Sequence, residues 1–260
     1  MKKNLIILII FILGCSNLLF SKSNIKFLTL DNITGESLKY RFSFFIFRKA
    51  AVVKLNFKHI KDNLFEATLK GQTKGVVGMF TAFRKDIYIS KMFYDNNSKR
   101  LIPFEFTKMT QIGSKIRKSI YKFDYKKNVI IKTKEKYKNS KLTSKKVYEI
   151  KINPPVDDYL TLAYNFRLGV FGFPDKNHSL KIKVLPEKKK KQRFIEIFFI
   201  KEKKDKIKLK AKIVKDIVKT KRNEVYGIIT KDMLPVKGIL PGVPIFGDIK
   251  AYLIALQYLN

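Results

Sequence analysis

Apolar and polar residues alternate with a period of two along most of this chain, the pattern of β-strands that bury one face. In "DIYISKMFYD" (86–95) Ile87, Ile89 and Phe93 fall on one face, with Tyr88, Met92 and Tyr94 on the other. "SIYKFDYKKNVIIKTKEK" (119–136) reads as two strands around Lys126-Lys127-Asn128, a hairpin signal. "SLKIKVL" (179–185), "RFIEIFFI" (193–200) and "KIKLKAKIV" (206–214) alternate almost strictly, as do parts of 38–47 and 223–230. "FGDIKAYLIAL" supplies a closing strand, and turn-forming clusters lie at 95–99, 185–192, 201–205 and 240–244. About ten or more strands with hairpin-length connections predict an all-β fold, a mainly antiparallel sheet system curled into a half-barrel or folded as a sandwich. Lysine alternating with isoleucine also puts one face of several strands in water, which an antiparallel sheet permits and a parallel one does not.

Two stretches leave this pattern. "TKGVVGMFTAFRK" (73–85) fits a short helix or a glycine-hinged turn. "NPPVDDYLTLAYNFRLG" (153–169) predicts one inserted helix over 157–168. Pro154 and Pro155 keep the preceding chain extended. Asp157 or Asp158 can then cap the free N–H groups of the first turn. Leu160, Ala163, Tyr164 and Arg167 share a face, Arg167 suits the negative end of the helix dipole, and Gly169 suits the stop. Set across the opening of a curled sheet, this helix would bring Tyr164 and Arg167 to the mouth as ligand-binding residues.

The charge is extreme: 56 Lys+Arg against 21 Asp+Glu give a net charge of +35. Such a field attracts nucleic acid, anionic lipid or polysaccharide. Lys, Ile, Asn and Phe are raised together, however, as AT-rich coding produces, which makes most of the lysines solvated strand faces. With 45% hydrophobic residues, the chain has ample material for a packed core.

The N-terminus reads as an export signal. Lys2 and Lys3 precede an apolar run from Leu5 to Leu13, too short for a membrane-spanning helix, and polar chain resumes by Ser21. Two ways of processing follow. "ILGC" at 12–15 is similar to a bacterial lipobox, with Cys15 lipidated and residues 1–14 removed. Ordinary cleavage after Ser21 or Ser23 discards Cys15 instead, and "NLLFS" after the cysteine suits this version. The expectation is a signal peptide over 1–21 (1–14 in a lipoprotein) and one β-rich domain over 24–260, exported to the periplasm or held at the outer membrane by acylated Cys15.

Catalytic material is sparse. His59 and His178 lie far apart in strand-like contexts with no Cys or second His near them, so no metal site is expected. Cys15 is the sole cysteine, which excludes an internal disulfide and, outside the signal region, thiol catalysis. Neither a phosphate-binding glycine loop nor a G-x-S-x-G elbow occurs, and no cofactor is implied. Asp157 and Asp158 could share a proton, but adjacent residues at a helix start rarely aim at one substrate atom, and capping accounts for them. "RKSIYKFDYKK" (117–127) interleaves bases and aromatics as single-strand nucleic-acid binders do. An exported protein seldom meets that ligand, so these aromatics are read as core. In "ITKDMLPVKG" (229–238), Asp232 and Pro235 punctuate two strands as a turn.

The order of several segments resembles the bacterial exported family called domain of unknown function 3108. They are the Tyr40 strand, "GQTKGVVGMF", "YDNNSKRLIPFEF" with Pro103, "YKFDYKKNVI", "DDYLTLAYNFR", "YGIITKDMLPVKG" and "IFGDIKAYL", together spanning Leu38 to Leu256. The resemblance implies an all-β envelope protein with one inserted helix, and no catalytic residues are established for that family. Some members look similar to open barrels that cradle lipid or acyl chains. The expected function is therefore non-enzymatic binding of a lipid or another amphiphilic or anionic envelope component on a curved sheet. The alternative is an envelope assembly factor acting through protein contacts.

Overall fold

The computed structural model describes residues 25–186, 193–213, 223–244 and 246–259. A short helix, α1 (Leu30–Ile33), precedes β1 (Glu36–Phe44), β2 (Phe47–Lys61) and β3 (Leu64–Thr73). After helix α2 (Gly75–Phe80) come β4 (Lys85–Asp95), β5 (Arg100–Ile112), β6 (Lys115–Asp124), β7 (Val129–Lys138) and β8 (Lys141–Lys151). Helix α3 (Tyr159–Arg167) is followed by β9 (Leu180–Val184), β10 (Arg193–Lys203), β11 (Lys206–Lys212), β12 (Glu224–Thr230), β13 (Pro235–Val243) and β14 (Gly247–Tyr258).

The 14 strands of the described residues form one antiparallel sheet, in the order β8-β7-β6-β5-β4-β3-β2-β1-β14-β13-β12-β11-β10-β9. Each strand pairs with its sequence neighbour, and β1 joins β14 to link the two meanders (Leu38 opposite Leu256, Phe42 opposite Ala251). The sheet is the curled half-barrel of the two expected forms, and it does not close: β8 and β9 remain its terminal strands. The segment before α3 crosses toward the gap. Asp157 makes an isolated parallel bridge with Val184, and its carbonyl accepts the Leu185 N–H at 2.9 Å.

Strict alternation builds the core. Leu38, Tyr40 and Phe42 of β1, Val53, Leu55 and Phe57 of β2, and Ile195 and Ile197 of β10 all point to one side and are buried. The inserted helix lies on that side, packed against β3, β4 and β5. Eight of its nine residues are buried, Ala163 being half-buried. A helix buried on nearly every side is a core element, not an amphipathic one. This corrects the expectation of a helix lying across the opening. The physical reason is volume: a 14-stranded curl encloses more space than its own inward side chains fill, and the Tyr, Leu and Phe side chains of α3 fill it.

Two details sharpen the local reading. Gly169 has φ +76, and a Cβ there would meet the Phe27 ring at 2.7 Å, so both backbone conformation and contact require glycine at this stop. "TKGVVGMFTAFRK" does contain a helix, α2, at one end of the sheet. No described helix is long and apolar enough to cross a membrane. The possible lipidation site Cys15 and the signal segment lie outside the described residues.

Candidate functional site

The two aspartates of the opening helix diverge. Asp158 is the N-cap: its Oδ1 accepts the N–H groups of Leu160 (2.8 Å) and Thr161 (3.2 Å). Its Oδ2 accepts the hydroxyls of Ser90 (2.6 Å) and Thr161 (2.7 Å), which ties the helix start to β4. Asp157 is not a cap, contrary to the paired assignment. Its Oδ1 accepts Arg100 Nη2 at 2.7 Å and its Oδ2 the Asn165 amide at 3.3 Å. Residue 157 precedes the N-cap, so its side chain is directed away from the first helical turn. Burial raises both carboxyls: Asp157 reaches about 6 against the pull of Arg100 and Asn165, and Asp158 rises against its four hydrogen bonds. Each carboxylate has its own partners, so this is a structural pair of anchors and not a proton-sharing dyad.

The C-terminal half of the helix is tied as firmly. The Asn165 carboxamide spans the backbone of Leu101, accepting its N–H and donating to its carbonyl, both at 2.8 Å. Arg167 forms a bidentate pair with Glu36 of β1 at 2.5 and 2.6 Å, and its Nε donates to the Met233 carbonyl. Tyr164 and Arg167 are only 1% and 4% exposed. Their placement at a ligand-accepting mouth is therefore corrected: Tyr164 packs on Phe57 (4.4 Å between rings) and Arg167 is committed to Glu36. The Tyr164 hydroxyl is buried without a hydrogen-bond partner among the described residues, and burial raises its pKa well above the usual phenol value. Tyr164→Phe is accordingly expected to leave stability unchanged or raise it by about 1 kcal/mol in urea unfolding. A loss of that size would mean that the hydroxyl has a partner.

A second cluster lies on the core-side face of β4–β8, and it was not singled out in the sequence. Strand register places it. Tyr88, Lys108, Ser119, Lys134 and Lys146 stand directly opposite one another across five strands. The neighbouring row toward α2 runs Asp86, Thr110, Arg117, Lys136 and Ser144. The row on the other side runs Ser90, Phe106, Tyr121, Lys132 and Tyr148. Ser90, Phe106 and Tyr121 are buried in the core, so all three rows face inward. Six bases thus share this face: Lys108, Arg117, Lys132, Lys134, Lys136 and Lys146.

The one carboxylate in these rows, Asp86, is already engaged. It holds Arg84 through two contacts (2.7 and 2.8 Å) and accepts the Thr110 hydroxyl at 2.6 Å. Aromatic rings support some of the bases: Lys132 sits 4.5 Å from the Tyr121 ring centre, Lys134 5.2 Å from Tyr148 and Lys108 5.4 Å from Tyr88. Lys132 is 2% exposed, whereas Arg117, Lys134, Lys136 and Lys146 reach solvent. Arg117 stands opposite Lys136, and Lys134 opposite Lys146. Like charges directly across a strand pair repel, so this face is built at a cost that an anion would offset.

A sequence signal for the cluster exists in the parity of β7. Buried Ile130 is followed at every second residue by Lys132, Lys134 and Lys136, so the inward row changes from apolar to basic within one strand. The basic and aromatic residues of 117–127 divide accordingly: Tyr121 and Phe123 join the core, while Arg117 joins the cluster. The two histidines are not brought together. His59 lies in β2 and bonds the Asp62 carbonyl, and His178 lies in the turn before β9 beside Asp175. Among the described residues no three His, Cys, Asp or Glu side chains gather in a way that could hold a metal ion.

No family model and no curated protein matches the sequence. Solved structures do resemble the fold. One is a β-barrel-like protein of domain of unknown function DUF1849 from Brucella abortus, with a TM-score of 0.50 at 7% identity, covering 88% of this chain and 99% of that one. Another is a DUF1089 family protein from Pseudomonas aeruginosa, with a TM-score of 0.36 at 9% identity, covering 76% and 90% of the two chains. At such identity the first likeness concerns the path of the backbone and assigns no role to any residue. This chain is thus similar in fold to a β-barrel-like protein: an antiparallel sheet curled, without closing, around one helix.

Proposed function

We propose that the protein is a non-enzymatic domain of the cell envelope that binds an anionic amphiphile, with the anionic group on the basic inner face of β5–β8. One observation carries this reading: two like-charged pairs, Arg117 with Lys136 and Lys134 with Lys146, stand opposite each other on the face that also carries the core. Their placement on the core-side face beside Tyr121 and Tyr148 gives an anion a solvent-open, multidentate seat, with aromatic surface next to it for an apolar chain. The interior around α3 is filled by Tyr164, Phe166 and Phe106, so an acyl chain buried at the helix is not part of the proposal. Export by the N-terminal signal, a periplasmic or outer-membrane location and kinship with the domain of unknown function 3108 family, on the order of motifs from Leu38 to Leu256, belong to the same proposal.

The test is calorimetric titration with dodecyl phosphate and with uncharged dodecyl maltoside, both below micelle formation. Dodecyl phosphate is expected to bind more tightly, and Lys134→Gln with Lys146→Gln to weaken it about tenfold or more. The same double variant should be slightly more stable than wild type at low salt, because the facing charges are gone. Equal binding of both detergents, or undiminished binding by the variant, would sink the reading. A second reading, an assembly factor, rests on β8, which ends the sheet with an 11-residue strand that a partner chain could extend. Lys141, Lys145 and Lys146 along that edge discourage such pairing, which ranks this reading second.

A further inference from the structure

In the β1–β8 half of the sheet the two ends differ in kind. At one end the β2–β3, β4–β5, β6–β7, β10–β11 and β12–β13 connections each carry an aspartate: Asp62, Asp95, Asp124, Asp205 and Asp232. At the other end, within the β1–β8 half of the sheet, lie the connections β1–β2 (44–49), β3–β4 (74–85), β5–β6 (112–115) and β7–β8 (138–141), and none of these four contains a carboxylate, whereas the sequences joining β9 to β10 and β11 to β12 contain Glu187 and Asp216. Two of them, β1–β2 and β3–β4, hold large exposed apolar side chains instead. Phe45 and Phe80 are 85% and 87% exposed, Ile46 and Met79 74% and 70%, with Phe83 and Val76 about half exposed.

These turns form one continuous rim. Lys74 N–H donates to the Ala50 carbonyl (2.9 Å), Gly113 N–H to Ala82 (3.3 Å) and Asn139 N–H to Ser114 (3.1 Å), so each turn is fastened to the next. Exposed Arg48, Lys49, Lys74, Lys85 and Lys115 flank the apolar residues. Asp248, the acidic group of the adjoining β13–β14 turn, accepts the Gly242 N–H. A rigid rim of aromatic and aliphatic tips ringed by cations matches the interface of an anionic bilayer, where rings enter the headgroup boundary and lysines meet the phosphates. A protein partner would need carboxylates set around an apolar patch, whereas a membrane presents both chemistries at every point.

We infer that this end of the sheet docks on an anionic lipid surface, with Phe45 and Phe80 inserted. Docking goes beyond the binding of a single amphiphile, because it needs a bilayer and uses different residues. The chain contains no tryptophan, so a single introduced one reports its own surroundings. Phe80→Trp and, at the opposite end, Ile60→Trp are to be made in the protein as processed by an exporting cell, with Cys15→Ser to remove any acyl anchor. Each is mixed with vesicles of phosphatidylcholine alone or with phosphatidylglycerol. On anionic vesicles the Phe80→Trp emission should move to the blue and be quenched by brominated acyl chains, while Ile60→Trp stays as in buffer. Phe45→Ser with Phe80→Ser should reduce vesicle co-flotation about tenfold or more, with an unchanged unfolding midpoint because both residues are exposed.

Equal shifts for both tryptophans would mean adsorption through overall charge and would overturn the inference, as would undiminished flotation of the double serine variant. A Phe80→Trp emission already blue without lipid, and moving with protein concentration, would assign the rim to a second copy of the chain and overturn it too. Insertion without dodecyl phosphate binding rejects only the proposed ligand site. Binding without insertion rejects only the docking face.

Discussion

Arg167→Ala is expected to lower the unfolding free energy by about 3–5 kcal/mol. The substitution leaves the Glu36 carboxylate, 1% exposed, without the guanidinium that now meets both its oxygens. It also removes the donor to the Met233 carbonyl, between β12 and β13. Coulomb attraction alone does not set the size of this loss. Moving two ions out of water costs nearly as much as their pairing returns, so the intact pair contributes little net stability, whereas one orphaned partner retains the full desolvation cost. That reasoning fixes a second measurement. Glu36→Gln with Arg167→Met, which removes both charges and keeps the volume, should recover most of the loss. Urea midpoints at constant slope report both quantities. A single-variant loss below about 1 kcal/mol would show that Glu36 reaches water. The pair joins residues 131 positions apart, so it fixes where α3 seats against β1 more than it strengthens the fold.

The strands were legible because water selects their alternation. Tyr88 and Met92 are buried while Ile87, Ile89 and Phe93, on the other face, are half-exposed, as the two-residue period requires. The hairpin around 126–128 joins β6 to β7 as expected. The extent of α3 was legible too, since Asp158 caps it and Gly169 ends it. Its surroundings were not. Tyr164 and Arg167 share a helical face with Leu160, and spacing cannot tell a face turned to a mouth from one turned to a core. Only the contact with Glu36, distant in sequence, decides that. The lysines failed for a related reason. Lys134 and Lys136 look like any solvated alternation until register sets them opposite Lys146 and Arg117. Cross-strand neighbours follow from the lengths of the hairpins, which local composition does not encode. The apolar rim escaped notice because Phe45, Ile46 and Phe80 belong to separate turns that meet only once the meander is folded.

Asp157 gives the second large effect, and its sign runs against the usual carboxylate. Burial raises its folded-state pKa to about 6 from an ordinary 3.8, so Arg100 at 2.7 Å only partly offsets the desolvation. Between those two values the folded protein binds more protons at this site than the unfolded chain. Stability from this group therefore falls as pH rises through the window, and its charging cost is complete above about pH 6. The gap between the two values corresponds to about 3 kcal/mol. Asp157→Asn cannot ionise and escapes that cost while keeping a hydrogen-bond acceptor for Arg100. Comparing the two proteins cancels the titrations of groups that do not interact with Asp157; the adjacent Asp158, whose charge helps to raise Asp157, belongs to the measured difference. The unfolding free energy of the variant relative to wild type should then rise by about 3 kcal/mol between a pH just below 4 and pH 7, with the change concentrated in the acid half. A difference that stays flat would mean that Asp157 ionises as easily in the fold as in water. A difference of opposite sign would mean that Arg100 outweighs burial and that this aspartate is a stabilising anion after all.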